Sequence, residues 1–184
     1  YGRDFRTAPD RGRSGGSEYQ DVVAGGGFLQ TLPEVDSTRI GLWGGSYGGY
    51  LTAHGMVKNP ELFKAGVDLH GVHDWSTRWD ERPEPGTRED SLYRVALASS
   101  PVCCVANMRG PILFIHGDDD RNVDYDETIQ LVQLMRRERK PFELIVYPDE
   151  VHDFLRWGNW MRTFRASAEF FERTLMAGKQ VSFK

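Results

Sequence analysis

The segment 44–49, GGSYGG, places a glycine-flanked serine, Ser46, between the apolar run 39–43 and the helix-like stretch 50–57. A G-x-S-x-G pattern between a buried strand and a helix is typical of a nucleophile elbow, a turn so tight that small residues must flank the serine. The alternative is a glycine-rich turn whose serine only caps the following helix. The strand-turn-helix setting favours the elbow, so we predict that Ser46 is a nucleophile.

A serine hydroxyl is a poor nucleophile at neutral pH, so it needs a base within hydrogen-bond reach and a carboxylate that orients this base. Reactive groups in an open parallel sheet gather at the carboxyl ends of the strands. Of the five histidines, His152 meets this condition because it lies on a loop after the last apolar run, 142–147. We therefore predict that His152 is the base, with an exposed loop histidine as the alternative.

The other histidines are expected to be structural. His116 ends an apolar run and should hydrogen-bond within the following turn, and His54 lies on the helix after Ser46, facing away from it. His70 and His73 resemble the start of a metal site, but no third and fourth ligand follow at a usable spacing. The sequence therefore predicts no metal site.

The carboxylate partner should lie between the serine and the histidine, because α/β-hydrolases have the chain order Ser, Asp or Glu, His. Three consecutive aspartates, Asp118, Asp119 and Asp120, occupy this place just after the run that ends at His116. Spacing alone does not choose among them. At least one is expected to belong only to a solvated turn.

Apolar runs and helical periodicities alternate along the chain. Strands are predicted at 39–43, 65–70, 112–116 and 142–147, and helices at 17–32, 50–57, 128–139 and 160–175. The glycines at 25–27 fall inside the first helix, which must be held by packing or by a close neighbour. We expect a surface loop at 1–17 and a polar excursion over one end of the sheet at 74–91. The alternation predicts an α/β fold, a mainly parallel sheet with helices on both faces.

The bulk composition excludes several classes of partner. The 184 residues suffice for one domain or part of one, and the net charge of -4 is spread without a basic stripe, so we expect no nucleic-acid partner. No apolar run approaches the ~20 residues that cross a bilayer, so no membrane segment is predicted. The sequence starts at Tyr1 without a methionine, so the compartment stays open.

The chain has two cysteines, Cys103 and Cys104, which are adjacent. Neighbouring residues seldom reach the geometry of a disulfide, so we expect two small buried side chains. A vicinal redox pair is the alternative, although no C-x-x-C spacing supports it.

Three motifs in order, GGSYGGY at 44–50, HGDDDRNV at 116–123 and DEVH at 149–152, carry a family resemblance. With them the chain resembles the catalytic domain of the prolyl oligopeptidase family of serine peptidases, from about Tyr1 to the last helix. The resemblance implies an α/β-hydrolase fold without a cofactor, with Ser46 as nucleophile and His152 as general base and acid. It also implies Asp120 as the acid, because the family's aspartate stands four residues after the histidine of its His-Gly turn.

The resemblance also suggests how substrate is bound. Asn122 matches an asparagine that binds a substrate carbonyl in dipeptidyl peptidase IV-like members, and the backbone N–H of Tyr47 is expected to donate to the oxyanion. Trp75 matches a tryptophan near the proline pocket of those enzymes, although it could equally be a core aromatic. Thr77 and Arg78 replace the tyrosines that line this pocket, so acylaminoacyl-peptidase or broader dipeptidyl-peptidase activity on peptides agrees with the sequence as well as proline-specific activity does. The alternatives are an esterase and a non-catalytic assembly module.

We expect residues 1–184 to form a single, partial hydrolase domain. Family members have several strands and a β-propeller before the position that matches Tyr1, and the missing strands supply an oxyanion tyrosine. Losing one oxyanion donor costs about 2.7–4 kcal/mol in the transition state. A sheet that starts at 39–43 would also expose an apolar edge, so the chain is expected to pair with another copy or with the missing N-terminal segment.

Overall fold

The computed structural model describes residues 2–6 and 17–176. Within these residues the helices and strands follow in the order α1 (Gly2–Arg6), α2 (Ser17–Thr31), β1 (Ile40–Gly45), α3 (Tyr47–Lys58), β2 (Phe63–Leu69), α4 (Arg88–Ala98), β3 (Ile112–Gly117), α5 (Tyr125–Arg137), β4 (Phe142–Tyr147) and α6 (Trp157–Leu175). Two 3₁₀ helices, Trp75–Arg78 and Pro101–Asn107, flank α4. Every predicted strand is present, with ends that differ by at most two residues from the observed ones.

The four strands form one parallel sheet in the order β1-β2-β3-β4. Strand β3 is buried at all six positions, as expected for a strand that is covered on both faces. One face packs against α3 and α5 through a core that includes Met56, Phe114 and Met135. The other face packs against α6, where Val67 and Phe170 are fully buried. The predicted parallel sheet with helices on both faces is therefore confirmed.

Two of the α-helices were not predicted. Helix α4 was not expected, although Thr87 caps it by accepting a hydrogen bond from the Asp90 N–H. Residues 2–6 form a short helix where we expected loop, and the rest of that predicted loop lies outside the described residues. In α2, a side chain at Gly26 would meet Leu62, so close approach explains a glycine there. None of the helices described is both long and apolar enough to cross a membrane.

The prediction for the cysteines was wrong. Cys103 and Cys104 form a vicinal disulfide, and Cys103 is exposed rather than buried. The 3₁₀ helix that contains them kinks at Cys104, which has non-helical dihedral angles (φ -136°, ψ 23°). This kink breaks the regular geometry that would otherwise separate the two side chains.

Strand β1 lies at an edge of the sheet, as expected, and in the described part of the chain it pairs only with β2. Beside this edge, Trp43 (47% exposed) stacks on Phe164 (49% exposed) with 6.2 Å between ring centroids. An edge strand with unpaired N–H and C=O groups next to exposed apolar side chains can pair with a strand of another chain.

We predict that the chain self-associates at micromolar concentrations through this edge, and that Trp43→Lys weakens the association because charge discourages edge pairing. Sedimentation velocity over a concentration series measures this, with Leu92→Lys on α4 as the control for a charge placed at another exposed apolar side chain. A concentration-independent monomer with one cooperative melt would contradict the prediction.

Candidate active site

The turn between β1 and α3 holds Ser46 in a strained conformation, with φ 57° and ψ -119°. A Cβ atom at Gly44 would collide with the backbone of Gly48, and one at Gly49 would collide with Leu69, so only glycine fits at these positions. The Ser46 N–H donates to the Leu69 carbonyl at 2.9 Å, while its hydroxyl makes no capping hydrogen bond to α3. The local geometry is that of a nucleophile elbow rather than of a serine cap.

His152 lies on the loop after β4 and is paired with Asp120, which lies on the loop after β3. The Nδ1 atom of His152 is 2.7 Å from Oδ2 of Asp120, and this carboxylate is buried. The pair fixes the tautomer, because Nδ1 must carry the proton that it donates to the carboxylate. The Nε2 atom of His152 is buried and has no hydrogen-bond partner among the described residues, so its lone pair can accept a proton.

The three consecutive aspartates have different environments, and only Asp120 contacts His152. Asp118 accepts a hydrogen bond from the Asp149 N–H at 2.7 Å, and the exposed Asp119 pairs with Arg121 at 3.1 Å. The tertiary structure therefore brings to His152 the same aspartate that the family resemblance implies.

The carboxyl of Asp120 is held in its ionised form. Burial alone would raise its pKa, but hydrogen bonds from His152 and from the backbone N–H groups of Val123 and Asn122 outweigh this effect and lower the pKa below its ordinary value. Asp120 can therefore compensate a positive charge that forms on His152.

His116 also contacts the carboxylate of Asp120. Its Nε2 atom faces Oδ2 of Asp120 at 3.2 Å and the Val123 carbonyl at 3.1 Å, so this nitrogen must donate, while Nδ1 lies 2.8 Å from the Thr128 hydroxyl. Burial lowers the pKa of His116, with the charges and hydrogen bonds around it opposing in part. The expected turn hydrogen bonding of His116 is confirmed. His54 is also buried, but it packs against Tyr19 and Tyr50 rather than against His152 or Asp120.

Glu150 is a supporting residue that the sequence reasoning missed. It is fully buried and accepts hydrogen bonds from the N–H groups of Leu155 and Arg156 and from the side chain of Asn159. These bonds tie the loop that carries His152 to the start of α6. Its place in the DEVH motif, two residues before the candidate base His152, was the available signal. An acid so close to a candidate base can hold the loop of that base in place.

A second missed residue is His70, which follows β2. Its Nδ1 atom accepts a hydrogen bond from the Ser46 N–H at 3.2 Å, and its ring lies 4.2 Å from the ring of His152. One imidazole thus contacts both the candidate nucleophile residue and the candidate base. The strand-end rule that selected His152 applies equally to His70 and could have identified it.

The only group with metal-ligand spacing among the described residues consists of His70, Asp120 and His152, whose ligand atoms lie within 4.8 Å of one another. The Asp120 carboxylate already faces the side chains of His152 and His116 and accepts hydrogen bonds from the Asn122 and Val123 N–H groups. These contacts favour a proton-transfer site over a metal site.

The predicted substrate-binding residues lie on two sides of this centre. On one side, the Trp75 ring lies 6.0 Å from Tyr47 and 5.3 Å from Tyr50, which forms an aromatic wall. On the other side, Asn122 and His152 line an open cavity of about 480 Å³ together with Arg121, Val151 and Leu155. The hydroxyl of Tyr47 donates to Glu18 at 2.7 Å, which anchors α2 next to the aromatic wall.

A buried ion pair supports the loop after β2. The Nε2 atom of His73 lies 2.8 Å from Oδ2 of Asp68, and both side chains are fully buried. Burial alone would lower the pKa of His73, but Asp68 and the hydrogen bond from the His73 N–H to Glu127 raise it above its ordinary value. The folded state therefore binds a proton that the unfolded chain releases near pH 6.5.

We predict that the free energy of unfolding is greatest near pH 6.5. It should fall above this pH, because the raised pKa of His73 stabilises the fold only while this side chain stays protonated. It should also fall below pH 6.5, because burial lowers the pKa of both His54 and His70 to about 4. Urea unfolding between pH 4.5 and 8.5 measures the profile, and Asp68→Asn should flatten its alkaline limb. An unchanged alkaline limb in this variant would contradict the assignment.

A parallel sheet with a strained serine turn after its first strand, and with a His-Asp pair on the loops after two later strands, has the arrangement of the α/β-hydrolase class. The chain matches the model of the prolyl oligopeptidase family over residues 1–178. It belongs to this family, which confirms the resemblance that the three motifs indicated.

Individual relatives agree with this assignment. The chain is 30% identical to the peptidase YuxL of Bacillus subtilis over 172 residues, which is 86% of this chain and 25% of the relative. It superimposes on dipeptidyl peptidase 4 of Porphyromonas gingivalis with a TM-score of 0.79 and 26% identity, covering 95% of this chain and 25% of that one. Acylaminoacyl peptidase of Pyrococcus horikoshii also gives a TM-score of 0.79 and 26% identity, with coverage of 100% and 32%. The chain thus spans a quarter to a third of these proteins.

Proposed function

We propose that this chain forms the catalytic domain of a serine peptidase that cleaves short peptides through an acyl-enzyme. The observation that carries the proposal is the 2.7 Å hydrogen bond between His152 and the buried Asp120, beside the strained turn at Ser46. Family membership supports the class of reaction. The geometry and charge of the three residues support the roles that we propose for them.

In the first half-reaction, the Ser46 oxygen attacks the peptide carbonyl while Nε2 of His152 takes the hydroxyl proton. The positive charge that forms on the imidazole is compensated by the ionised Asp120. His152 then gives this proton to the leaving amine as the C–N bond breaks, which leaves the acyl group on Ser46. In the second half-reaction, His152 activates a water molecule that releases the acid and restores the serine.

The tetrahedral intermediates carry a negative oxygen, which we assign to the backbone N–H of Tyr47, the residue after the nucleophile. The start of α3 at this residue adds the partial positive charge of a helix N-terminus. The exposed side-chain amide of Asn122, in the cavity next to His152, is placed to bind a substrate carbonyl.

For the substrate class, we propose peptides that present either a free N-terminal dipeptide or an acylated N-terminal residue, in line with the dipeptidyl and acylaminoacyl peptidases among the relatives. The wall of Trp75, Tyr47 and Tyr50 would contact the side chain next to the scissile bond. Thr77 and Arg78 follow Trp75 in place of bulky aromatic residues, so this pocket should accept more than proline.

The test is labelling with a fluorophosphonate, which reacts only with an activated serine, followed by mass spectrometry of the labelled peptide. The protein should be expressed with any residues that its reading frame places before Tyr1, and urea-denatured protein serves as the control. We expect label on Ser46 of the folded protein alone. Comparison of dipeptidyl-anilide, acylaminoacyl-anilide and simple ester substrates then separates peptidase from esterase activity. A folded protein that takes no label would refute the proposal.

A further inference from the structure

His70 occupies a position that costs conformational energy. Its backbone has φ 41°, in the left-handed region that residues other than glycine seldom adopt, and its side chain is 4% exposed. Strain of this kind persists only where the surrounding structure enforces it, and it concentrates at functional sites. The strain at this buried position therefore indicates a functional role for His70.

The loop after β2 enforces this conformation through a buried carboxylate. Oδ1 of Asp68 accepts a hydrogen bond from the Gly71 N–H at 3.0 Å, while Oδ2 binds the ring of His73. The His70 N–H donates to the Ile115 carbonyl at 2.9 Å. These hydrogen bonds fix the backbone of His70, and its ring lies next to Gly45 and Ser46 in the turn between β1 and α3.

The ring of His70 contacts three parts of the candidate site. It accepts a hydrogen bond from the Ser46 N–H, and it packs against the ring of His152 with 4.2 Å between centroids and an interplanar angle of 55°. A Cβ atom at Gly45 would come within 3.3 Å of the His70 ring, so the glycine before Ser46 leaves room for it. The ring of Phe154 also packs edge-on against the His70 ring, with 5.5 Å between their centroids.

The hydrogen bonds assign His70 a neutral ring. Because Nδ1 accepts from the Ser46 N–H, the single proton resides on Nε2, a buried atom with no hydrogen-bond partner in the described residues. Burial and the neighbouring His152 and His116 lower its pKa to about 4, against the opposing effect of Asp120 and Asp68. A neutral ring can support His152 without opposing the positive charge that this residue gains in the reaction.

We propose that His70 is a positioning residue whose ring holds His152 at the distance and angle from Ser46 that proton transfer requires. This role rests on the proposed function of Ser46 and His152. The ring contact acts on the base, whereas the hydrogen bond to Ser46 fixes where the ring lies. Misplacement of a reacting group by about 1 Å costs on the order of 100-fold in rate, which sets the scale of the effect.

Two substitutions separate the two contacts. His70→Phe keeps an aromatic ring against His152 and loses one of the two acceptors of the Ser46 N–H, which still donates to the Leu69 carbonyl. His70→Asn keeps an acceptor near the Nδ1 position and tolerates the left-handed backbone, but it loses the ring. We expect kcat to fall about 100-fold in the Asn variant and by less than 10-fold in the Phe variant, with KM changed by less than a factor of three in both.

The matched control is His54→Phe, since His54 is also a buried histidine whose ring has no hydrogen-bond partner within residues 2–6 and 17–176, but it packs against Tyr19 and Tyr50 rather than His152. Its kcat should equal that of the parent protein. A high rate in the Asn variant together with a low rate in the Phe variant would overturn the proposal, because the acceptor rather than the ring would then matter.

A second readout does not depend on turnover. The proton that Nδ1 of His152 shares with Asp120 should give a downfield proton NMR resonance, because this hydrogen bond is short and buried. We expect the resonance to persist in His70→Phe and His54→Phe and to broaden or disappear in His70→Asn. A sharp, unshifted resonance in a folded Asn variant would overturn the proposal even if the Phe variant does not fold. If Ser46 proves unreactive while the resonance still depends on residue 70, the proposed function fails and the positioning contact stands.

Discussion

Replacing Ser46 with alanine is expected to lower kcat for peptide hydrolysis about 10⁶-fold, which is the scale seen when a triad nucleophile is removed. The fold should tolerate the change, because the hydroxyl makes no hydrogen bond to α3 and the backbone strain exists with either residue. We expect the free energy of unfolding to change by less than about 0.5 kcal/mol, as for a substitution that removes no stabilising contact. Anilide hydrolysis and urea unfolding of the same preparation measure the two effects.

The control is Ser91→Ala on α4, an exposed serine whose hydroxyl bonds only to the Thr87 carbonyl. This variant should keep full activity. If Ser46→Ala retained more than about 1% of the parent rate, or if it lost 1 kcal/mol or more of stability, as expected for a lost helix cap, the serine would be structural rather than nucleophilic.

Replacing Asp120 with asparagine is expected to lower kcat about 10⁴-fold near neutral pH. The asparagine amide can donate to Nδ1 of His152, which shifts the ring proton to Nε2, and that nitrogen can then no longer accept a proton from Ser46. The backbone N–H groups of Asn122 and Val123 keep an acceptor, because asparagine retains an oxygen at the position of Oδ1. The loop conformation should therefore survive.

The neighbouring aspartates provide the comparison for this prediction. Asp119→Asn removes an exposed pair with Arg121 and should change kcat by less than a factor of two, and Asp118→Asn should affect only the turn that ends at Asp149. A larger loss in either of these variants than in Asp120→Asn would show that the acid is assigned to the wrong residue. Because the pKa of Asp120 is lowered, the expected loss should not shrink until the pH falls below about 4.

The sequence identified the elbow because the requirement there is local. A serine that stands on so sharp a turn needs glycine at Gly44 and Gly49, where the structure leaves no room for a Cβ atom. The buried strands could also be predicted from the sequence. Strand β3 starts with a continuous apolar run, and β2 is mostly apolar, as expected for strands that are covered on both faces. His152 followed from the position of its loop after β4.

Other features depended on contacts between distant parts of the chain. Helix α4 was missed because its apolar residues, Leu92 and Val95, are partly exposed and give no clear apolar stripe. The disulfide between Cys103 and Cys104 depends on a kink that no spacing rule predicts. In the sequence, Glu150 does not differ from other acidic residues in loops. Its role becomes visible only through its three hydrogen bonds to residues at the start of α6.

By itself, the sequence determined the fold class, the strained position of Ser46 and the loops on which a base and an acid had to lie, because each of these follows from nearby residues and their periodicity. Among the three adjacent aspartates, the residues alone left the choice open and the family resemblance implied Asp120, whose contact with His152 only the tertiary structure shows. Only the tertiary structure shows that His70 contacts both Ser46 and His152. The three aspartates are chemically alike, so their residue types do not distinguish them. The register of the parallel strands, which the packing of the whole sheet sets, decides which residues on the loops come into contact.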